Sequence, residues 1–571
     1  MNKNLKHNYP CYEVEPFSDF KEMIAKRVLA HPDKVAFRFT ENKQDKQVTY
    51  KEHQDNINAL GTAIIRAGFT NSKIAMVGEN CYEWILSQIT VLGSDNAFVP
   101  VDKELPEKDL INVINHSDSE LVFCTGSYAE LLAANKDKLL NVKLFVCFRP
   151  KELPEGFADA AEFMEEGRKA LEGGDDCYTA IKPDDALLGE IVYTSGTTGA
   201  PKGVMLSKHN LNASVYYGLS VMHVFDVGLS VLPYNHTYES TCDLLVSQHI
   251  GSTICINESL KTVAGNLKKY NPEYVMLVPL FVENFYKKIL KGIEKQGKIK
   301  KVFNAIKLSN ALRKLGIDLR AKLFKEIRDI FGSNMIMVVC GGAPIRPDIA
   351  YFFDGIGICL NNGYGITECS PLVSCNRQFY NNFRSVGVPL PCVKIQIDDP
   401  NEDGEGEILV KGDIVMMGYY KEPEKTSEVL TEDAWFATGD YGKMVGDQLF
   451  ITGRKKNLIV LKNGKNVYPE EIEEYIQGIE GVEEVVVWAA KDEDGSEVSL
   501  CAEIYPEQSL RDLEGDGKDL KDLIVEKLTP LIDAKLADLP SYKHIAKVII
   551  RDEEFPKTTS RKIKRQGLGN K

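Results

Sequence analysis

Along the first 370 residues, short apolar runs of strand length alternate with longer stretches in which apolar side chains return every three or four positions. The helical period marks Phe20–Ala30, Tyr50–Ala67 and Tyr82–Leu92. Lys73–Val77, Leu121–Cys124 and Leu144–Phe148 read as strands between and after them. Leu229–Leu232, Thr253–Ile256, Tyr274–Val278 and Met335–Val339 continue the series as unbroken apolar runs, the pattern of strands buried on both faces. This alternation predicts doubly wound parallel sheets in two α/β subdomains, 1–180 and 181–370. Residues 371–450 change character. Lys394–Ile397, Gly406–Val410, Ile414–Tyr420, Lys443–Val445 and Phe450–Ile451 are short strands separated by turns, which predicts a small β-barrel or sandwich over 371–455. Beyond residue 455 an α+β pattern returns. Tyr468–Gln477 and Leu520–Leu536 are helical; Val482–Ala489, Val498–Ile504 and His544–Ile550 are strands.

Composition changes this picture at three points. The 571 residues exceed one domain and suffice for several cores. A net charge of −14 carries no nucleic-acid signature. The thirteen cysteines are scattered, with no Cys-x-x-Cys pair, which speaks against a zinc site or a disulfide framework and suits a reducing, cytoplasmic setting. No signal peptide opens the chain, and no run of about 18 uncharged apolar residues exists to span a membrane. One local imbalance runs the other way. From Lys287 to Arg328 there are fourteen Lys or Arg against three acids, with apolar residues at helical spacing. This predicts one or two basic amphipathic helices. They fit a peripheral contact with anionic membrane, and equally a solvated helical face.

The chemistry concentrates in one run. Residues 194–203 read Thr-Ser-Gly-Thr-Thr-Gly-Ala-Pro-Lys-Gly, between the apolar stretches Ile191–Tyr193 and Val204–Leu206. Glycines at 196 and 199 let backbone N–H groups wrap a polyphosphate. The hydroxyls of Thr194, Ser195, Thr197 and Thr198 can donate to its oxygens, and Lys202 supplies positive charge. The run is not a P-loop, because Gly203-Val204 rather than a hydroxyl residue follows the lysine. A flexible surface loop is the bland alternative.

Four further segments follow in order: Gly363-Tyr364-Gly365-Ile366-Thr367-Glu368, Trp435–Asp440, Gly453–Ile459 and Pro556–Ile563. Together with 194–203 they resemble the adenylate-forming superfamily of acyl-CoA synthetases, peptide-synthetase adenylation domains and luciferase. The resemblance spans about residues 30–567. It implies a large N-terminal domain (1–455) and a small, mobile α+β C-terminal domain (456–571). It also implies activation of a carboxylate by ATP and Mg²⁺. Under it, Glu368 and Thr194 hold the metal. Tyr364, with Gly365 and Thr367 beside it, and Gly341-Gly342-Ala343 wall the adenine. Asp440 and Arg454 take the ribose. Lys562 bridges carboxylate and phosphate oxygens, although Arg561 stands where the family has glycine. Lys456 is the hinge, and Gly464 borders the path of a CoA thiol; Asn463-Gly464 equally reads as a hairpin turn.

Leu232–Glu239 resembles the segment beside the acyl carboxylate, with His236 lining the acyl site. Its His-x-aromatic-Glu form, and the basic insert, are most similar to long-chain fatty-acid–CoA ligases. Ser240 occupies the place where some of these carry a tryptophan gate. The implied partners are a fatty acid, ATP and CoA. Alternatives are loading of a carrier protein, action on medium-chain or aryl acids, and a degenerate nucleotide or lipid sensor.

Overall fold

The computed structural model describes residues 5, 7–194, 201–462, 465–491, 497–513, 519–557 and 563–565. Packing divides the chain into two compact units: residues 1–395 with 410–436, and 396–409 with 437–571. The resemblance instead puts a hinge at Lys456, a statement about movement rather than packing.

The first unit holds two large sheets. In the eight-stranded sheet the order is Gly418–Tyr419, Lys202–Ser207, Leu188–Thr194, Ala97–Val101, Lys73–Val77, Ser119–Thr125, Leu144–Phe148 and Phe157–Asp159. From Leu188–Thr194 to Phe157–Asp159 the pairs are parallel; the first two strands run antiparallel to their neighbours. The nine-stranded sheet runs Val388–Pro389, Leu372–Cys375, Cys359–Gly365, Met337–Cys340, Tyr274–Leu277, Val227–Ser230, Thr253–Ile256, Val35–Glu41 and Gln44–Thr49. Its six successive strands from Cys359–Gly365 to Val35–Glu41 are joined by five parallel pairings in unbroken succession. The doubly wound α/β class expected from the alternation is present, because continuous apolar runs can only be satisfied by cover on both faces.

Local chemistry sets the helix starts. Thr49 and Glu52 form a reciprocal capping box at the head of Tyr50–Arg66. Ser207 and Asn210 do the same where the strand Lys202–Ser207 turns into the helix Lys208–Val221. Tyr82–Leu92 is buried on nearly every side, as its apolar sequence requires.

The second unit carries a four-stranded sheet, Val393–Asp398, Gly406–Gly412, Phe436–Val445 and Gln448–Arg454. A three-stranded sheet follows, Val482–Lys491, Glu497–Pro506 and Ile545–Ile550, backed by the helices Pro469–Gln477 and Leu520–Leu536. The short strands expected over 371–455 are present, and among the described residues they are shared among three sheets, four of them pairing with one another. Within the predicted strand Ile414–Tyr420 only Gly418–Tyr419 pairs, at the edge of the eight-stranded sheet. All thirteen cysteines are free thiols. Among the described residues no helix is long and apolar enough to cross a membrane.

Candidate functional site

In the first unit the site is built at strand ends. Thr194 closes Leu188–Thr194 and Lys202 opens Lys202–Ser207, and the two face one another in the antiparallel ladder. Ser195, Gly196, Thr197, Thr198 and Gly199, which join them, lie outside the described residues. Lys202 Nζ sits 4.7 Å from the centre of the Tyr419 ring, a cation–π contact. The Tyr419 hydroxyl donates to Glu368 Oε1 at 2.9 Å. One tyrosine therefore joins the lysine of the glycine-rich run to the carboxylate expected to hold metal. Burial, and then the neighbouring Glu368 carboxylate, push the Tyr419 phenol well above its ordinary range, so it stays a donor.

Glu368 is 9 % exposed and sits in the single turn Thr367–Cys369 that follows Cys359–Gly365. Its backbone carbonyl accepts from Met416 N–H at 2.9 Å, and Ser370 Oγ donates to Ile414 at 2.9 Å. Segment 414–419 thus braces this turn from main chain and side chain alike. Gly365 is forced by the same turn: a Cβ there would come within 2.4 Å of the Pro371 carbonyl oxygen. Tyr364 is nearly buried, opposite Ser374 across the ladder.

The other expected groups leave the neighbouring parallel strands of this sheet. Cys340 pairs with Asn362, so Gly341-Gly342-Ala343 and Gly363–Glu368 emerge side by side at carboxyl ends. Ligands of open α/β sheets bind at such ends. Gly341 N–H donates to Leu277 O at 3.3 Å, Gly342 has a positive φ of 83°, and Ala343 is exposed. Val227–Ser230 leads into 231–236 and places His236 at the head of the short helix Thr237–Glu239. Ser240 is buried and its hydroxyl returns to His236 O at 3.2 Å. Tyr238 instead fills the space nearby. Its hydroxyl points at Leu277 O (3.4 Å) and Val339 O (3.2 Å), and its ring would lie 3.0 Å from a Cβ at Gly341.

A second polar cluster lies behind His236. Glu239 Oε1 accepts from Ser230 Oγ at 2.7 Å and Val231 N at 2.9 Å. Asp243 Oδ1 accepts from Ser247 Oγ (3.1 Å) and Tyr274 (3.2 Å). Burial, with Asp243 adding repulsion, raises Glu239 well above the carboxylate range; burial raises Asp243 to about 6. Asp243 lies in Ser240–Leu245, a widened π-type turn that follows Glu239 directly.

In the second unit Asp440 and Arg454 are direct partners across the hairpin of Phe436–Val445 and Gln448–Arg454. Arg454 Nε donates to Asp440 Oδ1 at 2.6 Å, from a half-exposed arginine to a buried carboxylate. Thr438 Oγ1 accepts from Asp440 N–H at 3.0 Å and donates to Ile408 O at 2.8 Å. Lys456 lies in the single turn Lys455–Asn457, exposed. Asn463 and Gly464 lie outside the described residues, but Ile459–Val460 and Asn466–Val467 around them form the antiparallel pair of a hairpin. Lys562 and Arg561 also lie outside them. Their flanks are anchored: Lys557 pairs with Ile563 across a bridge, Lys564 N–H donates to Pro556 O at 2.7 Å, and Lys557 meets Glu554 at 2.7 Å. Arg565 is ion-paired to Glu473 and Glu470. The basic end of the chain is therefore tied down on both sides of 558–562.

Two residues that sequence reasoning missed are Tyr419 and Tyr238. Tyr419 lay inside a predicted strand with no role, and only the packing of that strand against Lys202 and Glu368 reveals one. Tyr238 was quoted only as the aromatic of a motif.

Thr194 and Glu368 offer hard oxygens only, which suits Mg²⁺. No cluster of three or more His, Cys, Asp or Glu among the described residues could hold a metal alone. The donor set thus fits an ion carried mainly by nucleotide phosphates and water.

Comparison with known proteins shows the family and the fold. The profile of the family described as AMP-binding enzyme matches residues 24–420. Long-chain-fatty-acid–CoA ligase 5 of Mus musculus is 26% identical over 555 residues, covering 90% of this chain and 80% of that protein. The chloroplastic long-chain-fatty-acid–[acyl-carrier-protein] ligase AEE15 of Arabidopsis thaliana is 27% identical, covering 85% of this chain and 78% of that protein. The crystal structure of the anthranilate CoA ligase AuaEII with anthranoyl-AMP superimposes with a TM-score of 0.76 at 16% identity, covering 97% of this chain and 96% of that one.

Proposed function

The chain belongs to the AMP-binding enzyme family, and from that premise we propose that it is an ATP-dependent long-chain fatty-acid–CoA ligase. The observation that carries the reading is the linked set Thr194, Lys202, Tyr419 and Glu368, a hydroxyl, a cation and a carboxylate held together at strand ends.

A carboxylate oxygen of the fatty acid attacks the α-phosphorus of ATP, the bond to the β-phosphate oxygen breaks, and pyrophosphate leaves. Catalysis of this type is positioning plus charge stabilisation. Lys202 and the hydroxyls of 194–198 hold phosphate oxygens. Tyr364 and Gly341-Gly342-Ala343 flank the base, with Gly365 and Thr367 shaping the turn. Asp440 accepts from the ribose hydroxyls and Arg454 donates to the same sugar. His236 lines the acyl site. Glu368 and Thr194 would hold Mg²⁺, which when bound neutralises charge on the phosphates. Lys562 bridges the two anions during adenylation. In the second half-reaction the CoA sulfur attacks the acyl carbon, AMP leaves, and acyl-CoA forms. Lys456 serves as hinge, and Gly464 lets the thiol approach. A fatty acid partitions into bilayers, so the reading also carries a peripheral membrane contact through 287–328.

Mass spectrometry of a reaction with ATP, Mg²⁺ and a panel of short- to long-chain and aryl acids, with and without CoA, tests it. Acyl-CoA and AMP from long-chain acids are expected. Preference for short or aryl acids would overturn the chain-length assignment. Acyl-AMP that accumulates with CoA present would favour a carrier-protein acceptor, the activity named for the Arabidopsis relative. ATP binding without AMP would favour the degenerate sensor. Lys562→Ala should lower adenylation about 10²–10³-fold yet still convert supplied acyl-AMP and CoA to thioester.

A further inference from the structure

The antiparallel end of the eight-stranded sheet has two faces, and the site uses only one of them. Neighbouring residues of a strand project to opposite sides. Thr194, Lys202 and Tyr419 share the side of the site. Tyr193, Gly203 and Tyr420, each joined to one of them by a peptide bond, fall on the reverse side. Tyr193 and Gly203 are direct partners in the ladder, and Tyr420 N–H donates to Gly203 O at 2.7 Å. The reverse row therefore reads tyrosine, glycine, tyrosine. The Tyr193 ring leans over the glycine, where a Cβ would lie 3.2 Å from it.

His116 bridges this row. Its ring stands edge-on to both tyrosines, with centroids 5.7 Å from Tyr193 and 5.9 Å from Tyr420. Its Nδ1 is 2.8 Å from the Tyr193 hydroxyl. His116 ends the helix Glu107–His116, and Asp118 completes the turn into the strand Ser119–Thr125 with a left-handed φ of 55°, a conformation that aspartate tolerates. The Tyr420 hydroxyl donates to the Asp118 carboxylate at 2.7 Å. Lys421 Nζ pairs with the same carboxylate at 2.7 Å and donates to His116 O at 3.0 Å. One corner of the chain thus grips the segments on both sides of Lys202–Ser207.

We propose that His116 is a positioning residue for nucleotide binding: by clamping Tyr193 to Tyr420 across Gly203, it fixes the spacing of Thr194, Lys202 and Tyr419 on the other side of the same segments. The inference rests on the reading of Thr194 and Lys202 as phosphate ligands, and adds to it a residue that touches no substrate. A clamp is needed because Gly418–Tyr419 is a strand of two residues, too short a ladder to hold its own distance from Lys202. The clamp also responds to acid. Burial, and then Lys421, pull the His116 imidazole below its ordinary range, so it is neutral at neutral pH. Lys421 and Lys425 face it, opposed by Glu422 and Asp118, and Lys73 lies 5.8 Å from the centre of the Tyr420 ring. Protonation sets a second positive charge beside Lys421 and leaves Nδ1 able only to donate, which loosens the grip on Tyr193.

The test is the affinity of the full chain for ATP with saturating Mg²⁺, measured by titration calorimetry from about pH 5 to 8, with the thermal midpoint of each variant. His116→Ala should weaken binding about tenfold at the alkaline end, the upper value of a lost hydrogen bond. His116→Asn carries an amide that can replace Nδ1 and never takes a charge. It should restore affinity to within about twofold and lack the acid-side decline that the wild type shows. Protonation of the nucleotide is common to both proteins, so the difference between their profiles reports the imidazole. Wild-type affinity in His116→Ala overturns the proposal, including the case in which only the thermal midpoint falls, the mark of a merely structural contact. A His116→Asn profile that declines in acid as the wild type does also overturns it, and decides alone where the alanine variant does not fold. AMP release is measured separately. A protein that binds ATP but releases no AMP with any acid refutes only the ligase reading, and one that binds no ATP refutes both.

Discussion

Glu368 and Asp440, buried carboxylates in the two units, are held in opposite ways. Asp440 faces Arg454 directly across a hairpin, and the charge pair is complete within fifteen residues of chain. Glu368 accepts from the neutral Tyr419, 51 residues away, whose ring in turn carries Lys202. A carboxylate matched by arginine is largely neutralised before any ligand arrives. The phenol on Glu368 adds a hydrogen bond and no countercharge. The difference suits a sugar contact in one case and a metal contact in the other.

Removing the charge at each position tests this division. Glu368→Gln should have the largest effect, a 10²–10³-fold loss of adenylation (about 3–4 kcal/mol), with little change in thermal midpoint; single-turnover pyrophosphate release measures it. Asp440→Asn should cost about 2 kcal/mol, the value of a charge-assisted hydrogen bond. Its loss should appear mainly in the KM for ATP. If the Asp440 variant loses more adenylation at saturating ATP than the Glu368 variant, the division of roles is wrong.

The third carboxylate setting sharpens the contrast. Glu239 and Asp243 share one interior cluster of hydroxyls. Asp243 ionises near 3.8 in the unfolded chain and at about 6 in the folded one. Between those values the folded state keeps a proton that the unfolded state has lost. Stability should therefore fall as pH rises through that window, by about 3 kcal/mol. Asp243→Asn should flatten that slope in urea denaturation; a slope unchanged by the substitution would remove the acid from this role. The smallest effect should come from Tyr419→Phe, about 1 kcal/mol, or a fivefold loss of adenylation. The ring stays under Lys202, so the lost hydroxyl is read alone. Its signature is a raised Mg²⁺ requirement at unchanged thermal midpoint, which a purely structural tyrosine would not produce.

Much of the fold was legible because its elements carry their own signals. Phe20–Ala30, Tyr82–Leu92, Lys73–Val77 and Leu144–Phe148 occupy the residues that their periodicity predicts. Caps such as Thr49 and Ser207 mark boundaries within four residues of chain. The weakest reading was 371–455, where short strands with little apolar content found partners in three different sheets. A strand of two residues has no local preference strong enough to choose its neighbour.

By itself, the order of glycines, hydroxyls and charges determined the family, the α/β class and the chemistry expected of the site, because those depend on local runs with a fixed composition. Asp440 and Arg454 belong to that class, since a hairpin brings near neighbours together. Tertiary structure alone decided that Tyr419 links Lys202 to Glu368 and that Tyr238 occupies the space over Gly341. These pairings join residues 51 to 217 positions apart. Nothing in the local sequence encodes that, and only the packing of whole elements against one another chooses it.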